Sequence, residues 1–532
     1  MTDANGVPMT GQEIVSDVLV VGAGPTGLML ANWLTKLGVR TTVIDAKRGP
    51  TRESRALVVQ ARSMEIYDQL GIVDEVLAQC AQARWLAPGF ESRTFGRIPI
   101  GELGKGLTPY PRIYVLEQSR NEQILLDSLR HLGGDVRWEH RLTSLGTSGT
   151  SVEAAVSGPD GDVTLRARYC VGTDGSSSAV RTMRGVPFEG ITNEQTFHVT
   201  DATEVRGLVP EAVNARPAER DFLLAFPMGP HGHYRLIGIV RDADQDGQLT
   251  EDDTRERLRQ VFAVAYGPSR WFATYRIHHR VAAAFRDGPF FLAGDAAHVH
   301  SPVGAQGMNT GLQDAHNLAF KLADVLRGRA SDASLDRYEA ERRPVARRLV
   351  RTTDRLFGAV TSERRLFRAA RRWVPPLIAP VVVLFVPRVS GASRLFGYVS
   401  QIRVHYWMSE QAAARGRRGR RGRVVGRRLP WTGSNFDVLK GLTWQIHAYG
   451  SVDSDTVERL KRELRADVHV FPPANPDTGL RDGLLYLVRP DGFVAAAATP
   501  QAATVAFGRA LPDRFLTVPP AQSAEPASPR PD

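Results

Sequence analysis

The sequence predicts an α/β fold: a Rossmann-like βαβ unit at the start of the chain, a mixed sheet inserted into it, and a compact α/β unit near the C-terminus. Three observations predict it. An apolar, β-branched run, Ser16–Val21, feeds into Gly22-Ala-Gly-Pro-Thr-Gly27 and a helix-spaced stretch from Leu28 to Leu37. Strand-like segments crowd residues 186–285, as in Phe222–Phe226 and Tyr234–Val240. A third strand-length run, Phe290–Ala293, turns through Gly294-Asp295 toward a long helical stretch from about Met308 to Leu326. At 532 residues the chain is too long for one core, so several domains are expected.

The first run has the near-continuous apolar pattern of a buried parallel strand. Gly38 stops the helix after it, and Arg40–Asp45 is a second strand, completing one βαβ unit. In this turn Gly22 permits the tight bend, Gly24 lets backbone approach a pyrophosphate, and Gly27 lets helix and strand pack closely. The helix N-terminus then offers free N–H groups to phosphates. Asp45 stands 18 residues after Gly27, where a carboxylate can accept hydrogen bonds from ribose hydroxyls.

Helical patterning covers Arg62–Leu70 and Asn121–Leu132, and residues 134–172 turn strand-like. The last of these strands runs into Asp174-Gly175-Ser-Ser-Ser178, with Arg181 seven residues past Asp174. This segment reads equally as a turn with a helix N-cap or as an arginine set for a phosphate or a charged partner. Phe291–Asn317 says more. Asp295 directly follows a strand, where it can bind a polyol, and the glycine-rich loop beyond leads into a helix whose N–H groups can stabilise negative charge. His298 and His300 have no partner at metal-ligand spacing, so loop hydrogen bonding is expected and no metal is predicted.

These readings divide the chain. Residues 1–185 and 286–410 form the dinucleotide-binding domain in two parts, and 186–285 the inserted substrate sheet. An arginine-rich linker follows at 411–430, then a unit at 431–518 with strands near 443–448, 469–471 and 484–488 and a helix at 455–464. Residues 519–532, rich in proline, alanine and serine, are expected to be disordered.

Composition excludes several classes. The net charge of +11 is concentrated in the linker, where Ala414–Arg428 holds eight arginines without interleaved aromatics, so no nucleic-acid partner is predicted. Two cysteines, Cys80 and Cys170, support neither a disulfide framework nor a structural zinc site. The N-terminal segment has no apolar signal core, and the longest apolar run, Val374–Val386, holds three prolines. A cytoplasmic protein with no integral membrane segment is therefore expected.

The three motifs, in this order and at these separations, resemble those of the class A flavoprotein monooxygenases, the p-hydroxybenzoate hydroxylase family, over residues 16–410. The resemblance implies FAD held by Gly22, Gly24, Thr26 and Gly27 at the pyrophosphate and by Asp45 at the adenosine ribose. It assigns Asp174, Gly175 and Arg181 to a motif shared by FAD and the pyridine nucleotide. Asp295 would bind the ribityl chain, with Gln118 and Leu142 nearby. Pro302, Gly304, Gly307, Met308 and Asn309 would line the isoalloxazine, and Arg55 would lie beside it. Ala305 departs from the commoner Gly-Gly. Ala61–Gly71 is similar to actinobacterial polyketide hydroxylases. The 430–518 region resembles the thioredoxin-like domain of the phenol and polyketide hydroxylases, but it lacks Cys-x-x-Cys, so dithiol chemistry is excluded. That region is read as structural or as a homodimer contact.

The activity implied is hydroxylation of an aromatic or polycyclic, polyketide-type small molecule with NADPH or NADH and O₂, through a flavin C4a-hydroperoxide. Phe222, Phe226 and Met228 are the substrate-pocket candidates, and His231, His233 and Tyr234 the catalytic candidates, although no feature selects among them. Alternatives are a Baeyer–Villiger or epoxidising oxygenase on the same scaffold, or a non-catalytic flavin- or ligand-binding protein. A chain ending near Gly426 is expected to keep its FAD.

Overall fold

The computed structural model describes residues 13–51, 56–219, 221–229, 232–240, 249–300, 306–361, 396–406 and 424–512. Arg55, His231, Pro302, Gly304, Ala305, most of the linker and the 519–532 segment lie outside them.

An eight-stranded sheet carries the first core. Its parallel centre sets Thr41–Ile44, Glu13–Val21, Gly161–Gly172 and Phe290–Leu292 side by side. Val18–Val21, Cys170–Val171 and Phe290–Leu292 are buried without alternation, as strands covered on both faces must be. The long Gly161–Gly172 strand is shared: its first half pairs antiparallel with Ser151–Gly158 and its last residues pair with Phe290–Leu292. Sequence regions 13–45, 161–172 and 290–292 thus end on the same sheet edge, where open α/β sheets bind ligands.

Among the described residues the helices in chain order are α1 (Pro25–Lys36), α2 (Ala61–Leu70), α3 (Val73–Gln79), α4 (Gln118–His131), α5 (Ala179–Met183), α6 (Glu251–Phe262), α7 (Gly307–Leu326), α8 (Asp336–Thr361), α9 (Ser454–Leu464) and α10 (Ala503–Gly508). Helix α1 packs between α4 and α7. Asn32 donates to the Leu125 carbonyl at 2.8 Å, and the Trp33 ring meets His316 and Phe320 of α7 at centroid distances of 4.9 and 5.3 Å.

The second sheet has nine strands and is not confined to residues 186–285. Trp85–Phe90 pairs parallel with Ala212–Pro217, and His298–Val299 pairs with the end of Ser269–Ala282. Pro88 and Gly89 hide the strand character of Trp85–Phe90 in the sequence, because both residue types are poor strand formers. Alternation along the central strands gives this sheet two faces. Phe197, Val199, Phe226, Ile237 and Ile239 share one apolar cluster, while Leu223, Ala225, Leu236 and the buried side of α6 form another.

The C-terminal region is a four-stranded sheet. Gln445–Tyr449 and Asp467–Phe471 are parallel and joined through α9; Leu485–Val488 and Val494–Ala498 form a hairpin. Ile446, Leu460, Leu485, Leu487 and Phe507 fill the core between this sheet and its helices. The hairpin turn Arg489–Gly492 does not stand apart from the first domain. Arg62 of α2 donates to the Asp491 carbonyl at 2.8 Å, and Gln69 donates to the carbonyls of Leu439 and Pro490 at 2.9 and 2.7 Å. All three side chains, Arg62, Gln69 and Asp491, are buried. A chain ending near Gly426, expected to keep its FAD, would lose these buried contacts. Removing the region would cost Arg62 its bond to Asp491 and Gln69 its bonds to Leu439 and Pro490, leaving them Glu65 and His316.

Candidate functional site

Gly22 closes the first strand at φ +103°, a conformation reserved in practice for glycine. A Cβ there would sit 2.6 Å from the Thr173 carbonyl oxygen. Thr173 pins the turn by donating its hydroxyl to the Gly22 carbonyl at 2.7 Å. Gly27 is tighter still: a Cβ would lie 1.9 Å from the Gly22 carbonyl oxygen. Gly24 differs, since a Cβ on it would meet nothing within 4 Å. Two glycines are demanded by the protein's own packing, and the third keeps open the ground in front of the α1 N-terminus.

That ground is one cavity of about 770 Å³. Gly22, Gly24, Thr26, Asp45, Gln118, Leu142, Asp174, Gly175, Asp295, Gly307 and Met308, all assigned from the sequence, line it. Asp45 accepts from the Ala23 amide at 2.7 Å and the Lys47 amide at 2.8 Å, which aims the carboxylate across the mouth of the turn. Asp295 is exposed in a single 3₁₀ turn, Gly294–Ala296. A glycine cradle, a helix N-terminus and two carboxylates around a space of this size fit a dinucleotide, with phosphates at α1 and hydroxyl-bearing carbons at the carboxylates. No group of three or more His, Cys, Asp or Glu side chains that could hold a metal occurs among the described residues.

Asp174 lines the cavity and also works behind its wall, where Arg181 and Asn309 stand. Asp174 caps α5, accepting from the amides of Ala179 and Val180 at 2.7 and 3.2 Å and from the Ser178 hydroxyl at 2.5 Å. Burial raises its pKa against those bonds. Arg181 does not line the cavity: its guanidinium donates to the carbonyls of Ala296 and Ser176 at 2.9 and 2.7 Å, with Phe188 stacked 3.9 Å away. It braces the turn that carries Asp295. Asn309 is fully buried. Its side chain accepts from the Gln60 amide and the Ser63 hydroxyl at 2.8 and 2.7 Å and donates to the Val58 carbonyl at 2.7 Å. It bolts α7 to the start of α2.

Asp314, which sequence reasoning left without a role, organises the same corner. It is completely buried, accepts from the Gly294 amide at 3.1 Å, lies 2.7 Å from His298 Nε2, and pairs with Arg342 Nε at 2.6 Å. Burial would raise its pKa, but the Arg342 guanidinium and His298 hold the carboxyl below its ordinary value. The sequence signal was Asp314 itself, an acid on the apolar face of a long helix.

The far end of the cavity is apolar. Leu57, Val58, Phe226, Ile237, Tyr275 and Val299 line it, with His278 and His300. Of the residues expected there, Phe226 takes its place, whereas Phe222 and Met228 pack beside it without reaching the cavity. Tyr234 is buried on the opposite face, its hydroxyl donating to the Val209 carbonyl at 3.2 Å, and His233 also stands outside the lining. The imidazoles the fold brings to this apolar end are His278 and His300, while His140 lines the polar end. His233 is on the face of Ile237 but four residues before it along the strand, so position along the strand, not face, keeps it out.

The chain matches the FAD binding domain family over residues 15–353. It is 32% identical to the 6-methylpretetramide 4-monooxygenase of Streptomyces rimosus, over 90% of each chain. It is 31% identical to the 12-dehydrotetracycline 5-monooxygenase/anhydrotetracycline 6-monooxygenase of the same species, over 93% of this chain and 98% of that one. Among solved structures it is similar to the OxyS anhydrotetracycline hydroxylase from Streptomyces rimosus, with a TM-score of 0.74 at 29% identity, covering 96% of this chain and all of that one. Glycine cradle, paired carboxylates, apolar wall and full-length likeness agree: the chain belongs to the FAD binding domain family and is a class A FAD-dependent monooxygenase.

Proposed function

We propose that the protein hydroxylates a neutral or weakly acidic polycyclic aromatic of the polyketide type, with NADPH or NADH as reductant. The observation that carries this is the continuity of the cavity, polar beside the glycine turn and apolar at the second sheet. FAD, when bound, supplies hydride acceptance and oxygen activation. The chain's own residues do the rest. Gly22, Gly24 and the α1 N-terminus would hold the pyrophosphate, Asp45 the adenosine ribose, and Asp295 the ribityl chain. The start of α7, Gly307-Met308, would face the ring system. Phe226, Ile237 and Tyr275 offer a flat apolar wall to a fused-ring substrate and exclude water from it. His278 and His300 are the groups there able to take a substrate proton. The tetracyclic substrates named for the relatives suit such a wall.

The domain scheme belongs to the same proposal: a FAD domain in two parts, a substrate sheet between them, and a thioredoxin-like C-terminal domain in a structural role. No described helix is long and apolar enough to cross a membrane.

The purified protein should be yellow and should oxidise NADPH or NADH faster when a polycyclic phenol is added. Under ¹⁸O₂ the product should gain one labelled oxygen atom, read by mass spectrometry. Reductant consumption that yields only hydrogen peroxide with every phenol tried would remove the hydroxylase assignment. Asp295→Ala should weaken FAD binding about 10- to 100-fold, measured by flavin fluorescence titration; this is ~1.4–2.8 kcal/mol, the range for a charged hydrogen-bond partner. Unchanged affinity would take the ribityl role from Asp295.

A further inference from the structure

Among the described residues, none beyond Met308 lines the cavity. Yet two helices that start beside it, α2 and α7, are held from the far side by the C-terminal hairpin turn. Asp491, 2% exposed, accepts from Arg489 at 2.9 and 2.6 Å and from Asn317 of α7 at 3.3 Å, and its own carbonyl accepts from Arg62 of α2. Arg489 also grips Glu341 of α8 at 2.6 and 3.1 Å, and Lys321 of α7 meets the same carboxylate at 2.8 Å. Gln69 extends the set. It donates to the Leu439 and Pro490 carbonyls and, through its own oxygen, meets His316 Nε2 of α7 at 2.9 Å.

We infer that Asp491 and Gln69 are positioning residues for the FAD site, acting through α2 and α7; the inference rests on the flavin reading above. Both helices lead to the cavity. Helix α2 starts next to Leu57-Val58, and α7 starts at Gly307-Met308, all four of them lining residues. The Asn309 side chain ties the two starts together. From Gly307 to Asn317 is about 15 Å of continuous helix. A helix of that length moves as a rod, so its axis is set by what holds both ends. The near end has the Asn309 and Asp314 bonds, and the far end has the hairpin turn. Buried charges have few alternative partners, so this far anchor admits one seating, in which each donor nitrogen of Arg489 and the Asn317 amide faces an acceptor. The C-terminal unit would therefore shape a cavity it never touches.

The test uses full-length holoenzyme. FAD dissociation constants and the visible circular dichroism of bound FAD are measured for wild type, Asp491→Ala, Gln69→Ala and the surface control Lys461→Ala. At least a 10-fold rise in dissociation constant for Asp491→Ala and about 3-fold for Gln69→Ala are expected, with an altered flavin dichroism band in both and none in the control. A lowered melting temperature with FAD affinity within twofold of wild type and an unchanged band would overturn the inference. If Asp491→Ala does not fold, Gln69→Ala alone decides by the same two readouts. A wild type that binds no FAD would instead overturn the flavin assignment.

Discussion

Gly27→Ala should unfold the flavin turn, whereas Gly24→Ala should leave the empty protein intact and still impair FAD binding. The contrast follows from what each new methyl group meets. At Gly27 it would lie 1.9 Å from the Gly22 carbonyl oxygen and 2.6 Å from Thr173 Oγ1, so α1 or the first strand must move. Backbone atoms cannot swing aside as a flexible side chain can. Overpacking of a filled interior costs ~1–3 kcal/mol or more, out of a total stability of ~5–15 kcal/mol. At Gly24 the methyl group meets nothing within 4 Å, and the backbone there is ordinary extended chain, so stability is unaffected. What it meets is the ligand. Apoprotein melting temperatures and FAD titrations separate the two effects. The expected pattern is a fall of several degrees for Gly27→Ala alone, with FAD affinity lowered at least 10-fold in both. Wild-type FAD affinity in Gly24→Ala would show that the pyrophosphate does not lie against this turn.

The second large effect is expected at Asp314. Replacing it with alanine leaves the Arg342 guanidinium, the Gly294 amide and His298 facing each other in a buried space. Breaking one side of a buried ion pair costs ~3–5 kcal/mol, because the remaining charge stays desolvated. Part of that loss should appear as FAD affinity, since Gly294 precedes Asp295, sits at φ +61° and has its amide on the Asp314 carboxylate. Double substitution Asp314→Leu with Arg342→Met should recover much of the stability by removing both charges, but not the anchor of Gly294, and so not the affinity. Denaturant unfolding and FAD titration on the three variants test this. Equal recovery of both quantities would mean that Asp314 supports the fold without shaping the turn. The pH dependence has a definite sign. The folded-state pKa of Asp314 is depressed, so its contribution is present above the unfolded value of 3.8 and is lost as pH falls through the folded value. In wild type this adds to acid unfolding, and Asp314→Ala should show a shallower loss of stability below about pH 4.

Much of the cofactor end was legible from the chain alone. The Gly22–Gly27 turn, Asp45, Asp174-Gly175 and Asp295 all line the cavity, because each motif is local: a strand end, a turn and a helix start within a few residues. Three strands and one helix of the C-terminal unit were legible for the same reason and differ from the expected bounds by two residues at most, while Val494–Ala498 and α10 were not among the expected elements. Roles that depend on distant partners were not legible. Arg181 and Asn309 carry side chains suited to a ligand, but they spend their hydrogen bonds on Ala296, Gln60, Ser63 and Val58. Tyr234 faces away from the cavity, and His233, on the face of Ile237 but four residues before it along the strand, stands outside the lining, while His278 and His300 reach it.

By itself the sequence determined the βαβ unit, the order of the flavin-binding turns and the chemical class of the ligand. These follow from glycine's freedom at positive φ, from apolar periodicity and from the reach of a carboxylate at a strand end, all properties of short segments. The tertiary structure alone decided which histidines meet the substrate space, which polar groups are consumed in bracing it, and that residues 489–492 support a cavity more than 180 positions earlier in the chain. The reason is physical. Strand register and buried ion pairing are set by competition among all the segments packed together, and no local pattern records the outcome of that competition.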